Sequence, residues 1–127
     1  MGNDAKANAL QSIAIGRLAQ ATAQYGVAVG GSSTAGDHSV ALGQSASSNA
    51  ANSVALGVAA IANGEKSIAI GRSASTATHI RSVAIGYQAT TSAQESVSIG
   101  RGAEATTYAV AVGDNAHANG LHGIALG

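Results

Sequence analysis

The side chains in this 127-residue chain that could do chemistry are its abundant Ser, its four His, its six Lys and Arg, and its three Tyr. His38, His79, His117 and His122 are the natural metal candidates. None stands four residues from another with Glu in the frame that marks a zinc protease, and there is no Cys to complete a structural zinc site. They are expected to be solvated surface groups. The Gly-Gly-x-Gly-x-Asp pattern of calcium-binding solenoids is absent. Gly30-Gly31 lacks the Gly-Lys-Ser/Thr that would make it a phosphate loop. The Ser recur by rule at the start of one short motif, and a residue repeated from copy to copy serves the architecture. The expectation is a protein that is not an enzyme and holds no cofactor and no metal.

The motif itself is Ser82-Val83-Ala84-Ile85-Gly86. Nine copies end at Gly16, Gly30, Gly43, Gly57, Gly71, Gly86, Gly100, Gly113 and Gly127, at intervals of 14, 13, 14, 14, 15, 14, 13 and 14 residues. Such a period over nearly the whole chain defines a repeat architecture. Residues 1–11 read as a partial N-terminal repeat and 12–127 as one domain of stacked repeats. Composition agrees. With no Phe, Trp, Pro or Cys, and Ala supplying much of the apolar content, the core must be thin, which suits an extended stack better than a rounded domain. Charges balance at six basic and six acidic residues, so no basic face for nucleic acid is implied. No apolar run approaches the roughly 18 residues of a membrane span, and no leader is read. Membrane contact by this segment is not expected.

Each copy alternates β-branched residues with Ala, which is strand chemistry. Its Gly is expected where the chain needs positive φ to leave the strand. A second, weaker strand is read after it, in Gln44-Ser45-Ala46-Ser47-Ser48, Arg72-Ser73-Ala74-Ser75-Thr76 and Arg101-Gly102-Ala103-Glu104-Ala105. A second turn closes the unit, carrying Asn63-Gly64 and Asn119-Gly120 in two copies. The unit is therefore strand, turn, strand, turn. About nine such coils at roughly 4.8 Å each give a β-solenoid about 40 Å long.

In the motif strand neither face is polar, so it reads as buried on both sides. One face fills the coil. The other would leave an apolar sheet too large for a monomer, and a symmetric homo-oligomer is the simplest partner. The residues assigned to core or interface packing are Ile13, Ile15, Val40, Leu42, Val54, Leu56, Ile68, Ile70, Val83, Ile85, Val97, Ile99, Val110 and Val112. Whether the Val/Ile or the Ala side lies inside the coil stays open.

Residues at one repeat position stack on their counterparts in the next coil. The position before each strand reads Gln11, Tyr25, His38, Asn52, Lys66, Arg81, Glu95, Tyr108, His122. The position after each Gly reads Arg17, Gly31, Gln44, Val58, Arg72, Tyr87, Arg101, Asp114. Between them the two columns hold all three Tyr and five of the six basic residues, so each forms a ridge beside the motif strand. Tyr and Arg dominate recognition energetics. Arg72, Tyr87 and Arg101 on one ridge, with Lys66, Arg81 and Tyr108 on the other, are the candidate ligand contacts. The plainer alternative is that these are long side chains reaching water, or cross-subunit ion pairs such as Arg81 with Glu95.

The repeated Ser-Val-Ala-Ile-Gly-x-x-Ala/Ser at 14-residue spacing, over about residues 11–127, resembles the head domain of trimeric autotransporter adhesins, the YadA-like heads built of haemagglutinin-type repeats. The resemblance implies an all-β fold, a left-handed parallel β-roll with 14-residue coils assembled as a homotrimer. It implies display on the surface of a Gram-negative bacterium, outer-membrane-anchored through parts that would lie outside this segment. It also implies attachment to host cells or to matrix components such as collagen, fibronectin or laminin by polyvalent display. The alternative is a trimeric β-solenoid fibre or spacer with a purely structural role. An ice-binding array would need aligned Thr-x-Thr, and only Thr76-Ala77-Thr78 has that form. A hexapeptide acyltransferase would repeat at about 18 residues.

Overall fold

A computed structural model describes all 127 residues, Met1–Gly127. The chain winds as a stack of coils, each contributing one strand to each of two nine-stranded parallel sheets. One sheet holds the motif strands, three residues each, from Ile13–Ile15 to Ile124–Leu126. The other holds strands of two residues, from Lys6–Ala7 to His117–Ala118, with three in Ser75–Ala77. Stacking is in register: Ile68 pairs Val83, Ala69 pairs Ala84, and Ile70 pairs Ile85. Every coil thereby presents the same repeat position to its neighbours at the same place, which is how a linear repeat becomes columns.

The face left open by the sequence is settled by size. The coil interior admits only small side chains: Ala28, Ala41, Ala55, Ala69 and Ala84 of the motif strands are fully buried, as are Ala46, Ala60, Ala74 and Ala89 opposite them. Val and Ile of the motif face outward. Methyl groups alone bury little apolar area per residue, so much of the cohesion is carried by the backbone, which makes 83 internal hydrogen bonds. This also accounts for the absence of Pro, which would remove a donor from the ladder.

Polar groups inside the coil are small and mostly bonded. Ser39, Ser53, Ser67 and Ser96 each start a motif strand and donate back to the carbonyl three residues earlier, at 2.9, 2.7, 2.6 and 2.7 Å. The recurrent Ser is thus a turn clasp. Between Ala74 and Ala103 the apolar core divides into two clusters. There Thr76, Thr91 and Ser98 take interior positions. Thr76 Oγ1 reaches Ser67 Oγ at 3.0 Å and Ser98 Oγ reaches the Thr90 carbonyl at 2.6 Å, while Thr91 Oγ1 is buried with no partner.

Both turns differ from the sequence reading. The second strands are shorter than expected: Ser47–Ser48, Ser75–Ala77 and Glu104–Ala105. The residues ahead of them, such as Gln44 and Ser45, belong to the turn, whose second member is left-handed (Ser45 φ 58°). The Gly expectation holds: Gly57 has φ 129°, and a Cβ there would lie 2.6 Å from the Gly71 carbonyl oxygen in the next coil. The second turn is centred two residues beyond Asn-Gly, on Glu65–Lys66 and Leu121–His122. Gly64 stands ahead of it because a Cβ would collide with the backbone of His79.

The uneven intervals have one location. From each repeat Gly to the short strand the count is constant, and it is constant again through the motif strand. The 13-residue coils lose one residue from the second turn, residues 36–39 and 106–109 against 49–53 in a regular coil. The 15-residue coil adds one beside that turn, as a bulge between Ser75 and Ala77 with Ala77 at φ 46°.

Candidate functional site

The outward side of the motif sheet is an unbroken apolar strip, two side chains wide and nine coils long. In the single chain Ile13 is 47% exposed, Ile15 43%, Leu42 39% and Ile99 38%. Val40, Val54, Leu56, Ile68, Ile70, Val83, Ile85, Val97, Val110 and Val112 are half-buried beside one another in the same sheet. All fourteen packing residues read from the sequence lie on this strip. No charged or polar side chain interrupts it, since the only polar residue within the motif strands, Ser98, points into the coil.

Two ridges border the strip. Exposure alternates outward from it: in one coil Arg81 is exposed, Ser82 buried, Val83 half-buried, Ala84 buried, Ile85 half-buried and Tyr87 exposed. The ridge ahead of the strand has an unexpected backbone. All nine of its residues are left-handed, including Tyr25 (φ 57°), Lys66 (φ 59°), Arg81 (φ 52°) and Tyr108 (φ 56°). Non-Gly residues enter this region at a cost of about 1 kcal/mol or more. The backbone bond that each from Tyr25 onward makes to the coil before offsets it, as when Arg81 N–H donates to the Glu65 carbonyl at 2.9 Å.

Along each ridge, neighbours one coil apart interact. Arg81 Nη2 pairs with Glu95 Oε1, and Tyr108 stacks on His122 at 5.1 Å between ring centroids. On the other ridge the Arg72 guanidinium lies 5.9 Å from the Tyr87 ring centre. Arg101 binds Asp114 through two bonds, Nε to Oδ1 at 2.7 Å and Nη2 to Oδ2 at 2.5 Å. These hydrogen bonds hold the Asp114 carboxyl below its ordinary range. Lys66 pairs with adjacent Glu65 at 2.8 Å, and that hydrogen bond lowers Glu65 likewise. The structure therefore brings Arg72 to Tyr87 and leaves Lys66, Arg81 and Arg101 each on a carboxylate of its own chain. The Arg81–Glu95 pair anticipated between subunits forms within one chain.

Sequence reasoning missed the Tyr–His ring contacts. The Tyr25 and His38 rings near the other end of the rod also meet, with centroids 4.6 Å apart, but tilted by 40° where Tyr108 and His122 stack at 16°. The signal was available, since each Tyr in that column is followed by His in the next coil. His79 also differs from expectation: it is half-buried in the lengthened coil, with Nδ1 2.9 Å from the Thr91 carbonyl oxygen.

Fold and surface together define a parallel β-solenoid of 14-residue coils whose one apolar side is unmet within the chain. The family model for the YadA head domain repeat matches residues 1–19, 7–33, 21–46, 35–60, 48–74, 77–103 and 107–127. The chain belongs to the YadA head family and is an adhesin head region, which implies a bacterial surface location. Its structure is similar to the crystal structure of the collagen-binding domain of the Yersinia adhesin YadA, with a TM-score of 0.85 and 31% identity over 94% of this chain and 68% of that one. None of the curated proteins compared matches the chain.

Proposed function

We propose that this head works as a homotrimer, packed through the apolar strip, and attaches a bacterium to extracellular matrix by presenting three copies of each weak contact at once. The unbroken strip carries the trimer reading, because a soluble monomer does not keep so large an apolar sheet in water. The similarity to a collagen-binding domain makes collagen the first matrix ligand to test, with fibronectin and laminin behind it. Three linked sites gain avidity without new contacts. The role is binding rather than catalysis, and outer-membrane anchoring belongs to parts beyond this segment.

The candidate contacts on the ridges are Arg72, Tyr87 and Arg101 with Lys66, Arg81 and Tyr108. Arg72 and Tyr87 are the pair not committed to a carboxylate. The test joins two measurements. Sedimentation should give three chains, and immobilised collagen should retain the trimer. Joint replacement of Arg72, Tyr87 and Arg101 by Ala should leave sedimentation unchanged and lower retention at least tenfold. Unchanged retention of that variant would remove these residues from the contact, whereas no retention of the unsubstituted trimer on any matrix ligand would support the spacer reading, which the internal pairing of Arg81 and Arg101 favours.

A further inference from the structure

We infer that the two ridges, at opposite edges of the strip in one chain, form one composite surface between two chains, so that the candidate contact site is incomplete in any single copy. The inference rests on the trimer reading above and follows from the symmetry that reading requires. Copies related by rotation about an axis parallel to the rod meet heterologously: one edge of each faces the opposite edge of the next. A pure rotation also leaves height unchanged, so the coil of one chain that carries Arg81 meets the coil of the next that carries Tyr87.

The sequence supplies complementary chemistry at these heights. Arg81 approaches Tyr87 of the next copy, a cation facing an aromatic ring. One coil on, Glu95 approaches Arg101, and one further, the Tyr108 hydroxyl approaches Asp114. Glu95 already holds Arg81 and Asp114 already holds Arg101 within each chain, so the cross-chain contacts would extend two pairs into a network of four charges. Networks of this kind contribute more than isolated surface pairs. The composite surface then offers an extended ligand the Arg72–Tyr87 pair of one copy beside Lys66 and Arg81 of its neighbour.

The chain contains no Cys, so disulfide trapping is a clean test. Asn52 and Val58 bound one coil, are exposed, and lie outside the candidate contacts. They sit at opposite ends of a strand, too far apart within a chain to bridge, since a disulfide needs Cα atoms within about 7 Å. The full chain carrying Asn52→Cys and Val58→Cys should, under mild oxidation, run as a covalent trimer on non-reducing gels. Asn52→Cys with Asp114→Cys, four coils or roughly 19 Å apart in height, should not. Sedimentation of the reduced proteins separates the outcomes. A trimer that fails to trap at equal height overturns the composite surface and leaves the trimer reading standing. A monomer overturns both. Covalent dimers from Asn52→Cys alone would show like edges meeting and would also overturn it.

Discussion

Arg101 reaches across one coil step to Asp114 with both Nε and Nη2, so the ion pair spans the same interval as the backbone ladder beneath it. Two parallel bonds fix the guanidinium plane to the carboxylate. Because Asp114 is held below its ordinary range, the pair contributes stability that is present above the ordinary carboxylate range. That contribution is lost as pH falls through the lowered value. A carboxyl-detected NMR titration should place Asp114 below the ordinary Asp value, and Arg101→Ala should return it there.

Ala84 and Ile85 are adjacent but answer to different structures. Ala84→Asp puts a charge inside a coil with no partner, and should destabilise the single chain by at least ~3 kcal/mol. Ile85→Asp puts the charge on the outward strip, where the chain can fold around it. Circular dichroism should show Ile85→Asp retaining its β signal while sedimentation shows monomers. A trimeric Ile85→Asp protein would count against the strip as the interface.

Thr91 carries the one buried side-chain polar atom without a partner. Valine is nearly its shape and lacks the hydroxyl, so Thr91→Val should stabilise by about 1 kcal/mol or more. Thermal melts read this directly. The same substitution at Thr76, whose hydroxyl is bonded to Ser67, should give no comparable gain.

Two positive-φ positions should respond in opposite ways. Gly57→Ala places a methyl against the Gly71 carbonyl in a region unfavourable to L-residues, with a cost of at least ~2 kcal/mol. Lys66, also left-handed, should accept Gly with a change within about 1 kcal/mol, since relief of strain offsets the entropy of Gly. Lys66→Val should be clearly worse than Lys66→Gly, because β-branching is poorly tolerated there. Denaturant midpoints would give the order.

The coil architecture was legible because its signal is repetition. Period, motif strand and columns all follow from where Val, Ile, Ala and Gly recur. The side that Ala occupies was not legible, since Ala and Val both read as buried and only the narrowness of the finished coil separates them. The left-handed ridge was not legible either. Tyr, Lys, Arg and Glu carry no preference for positive φ, and the conformation is imposed by stacking on the preceding coil. The ion pairs were half-legible: column order put Arg81 beside Glu95 and Arg101 beside Asp114, but not whether each pair closes within a chain or between chains.

Every departure from 14 residues is absorbed in or beside the turn that follows the short strand, at residues 36–39, 76–77 and 106–109. The Gly turn and the motif sheet pass these points without a change of spacing, and the short-strand sheet takes up a single bulge, between Ser75 and Ala77. This stack therefore has an expansion joint, repeated in each coil and facing away from the glycine column. Length can be gained or lost there, and new peptide spliced in, with the rungs above and below keeping their places. A head of this design can change what it displays one coil at a time.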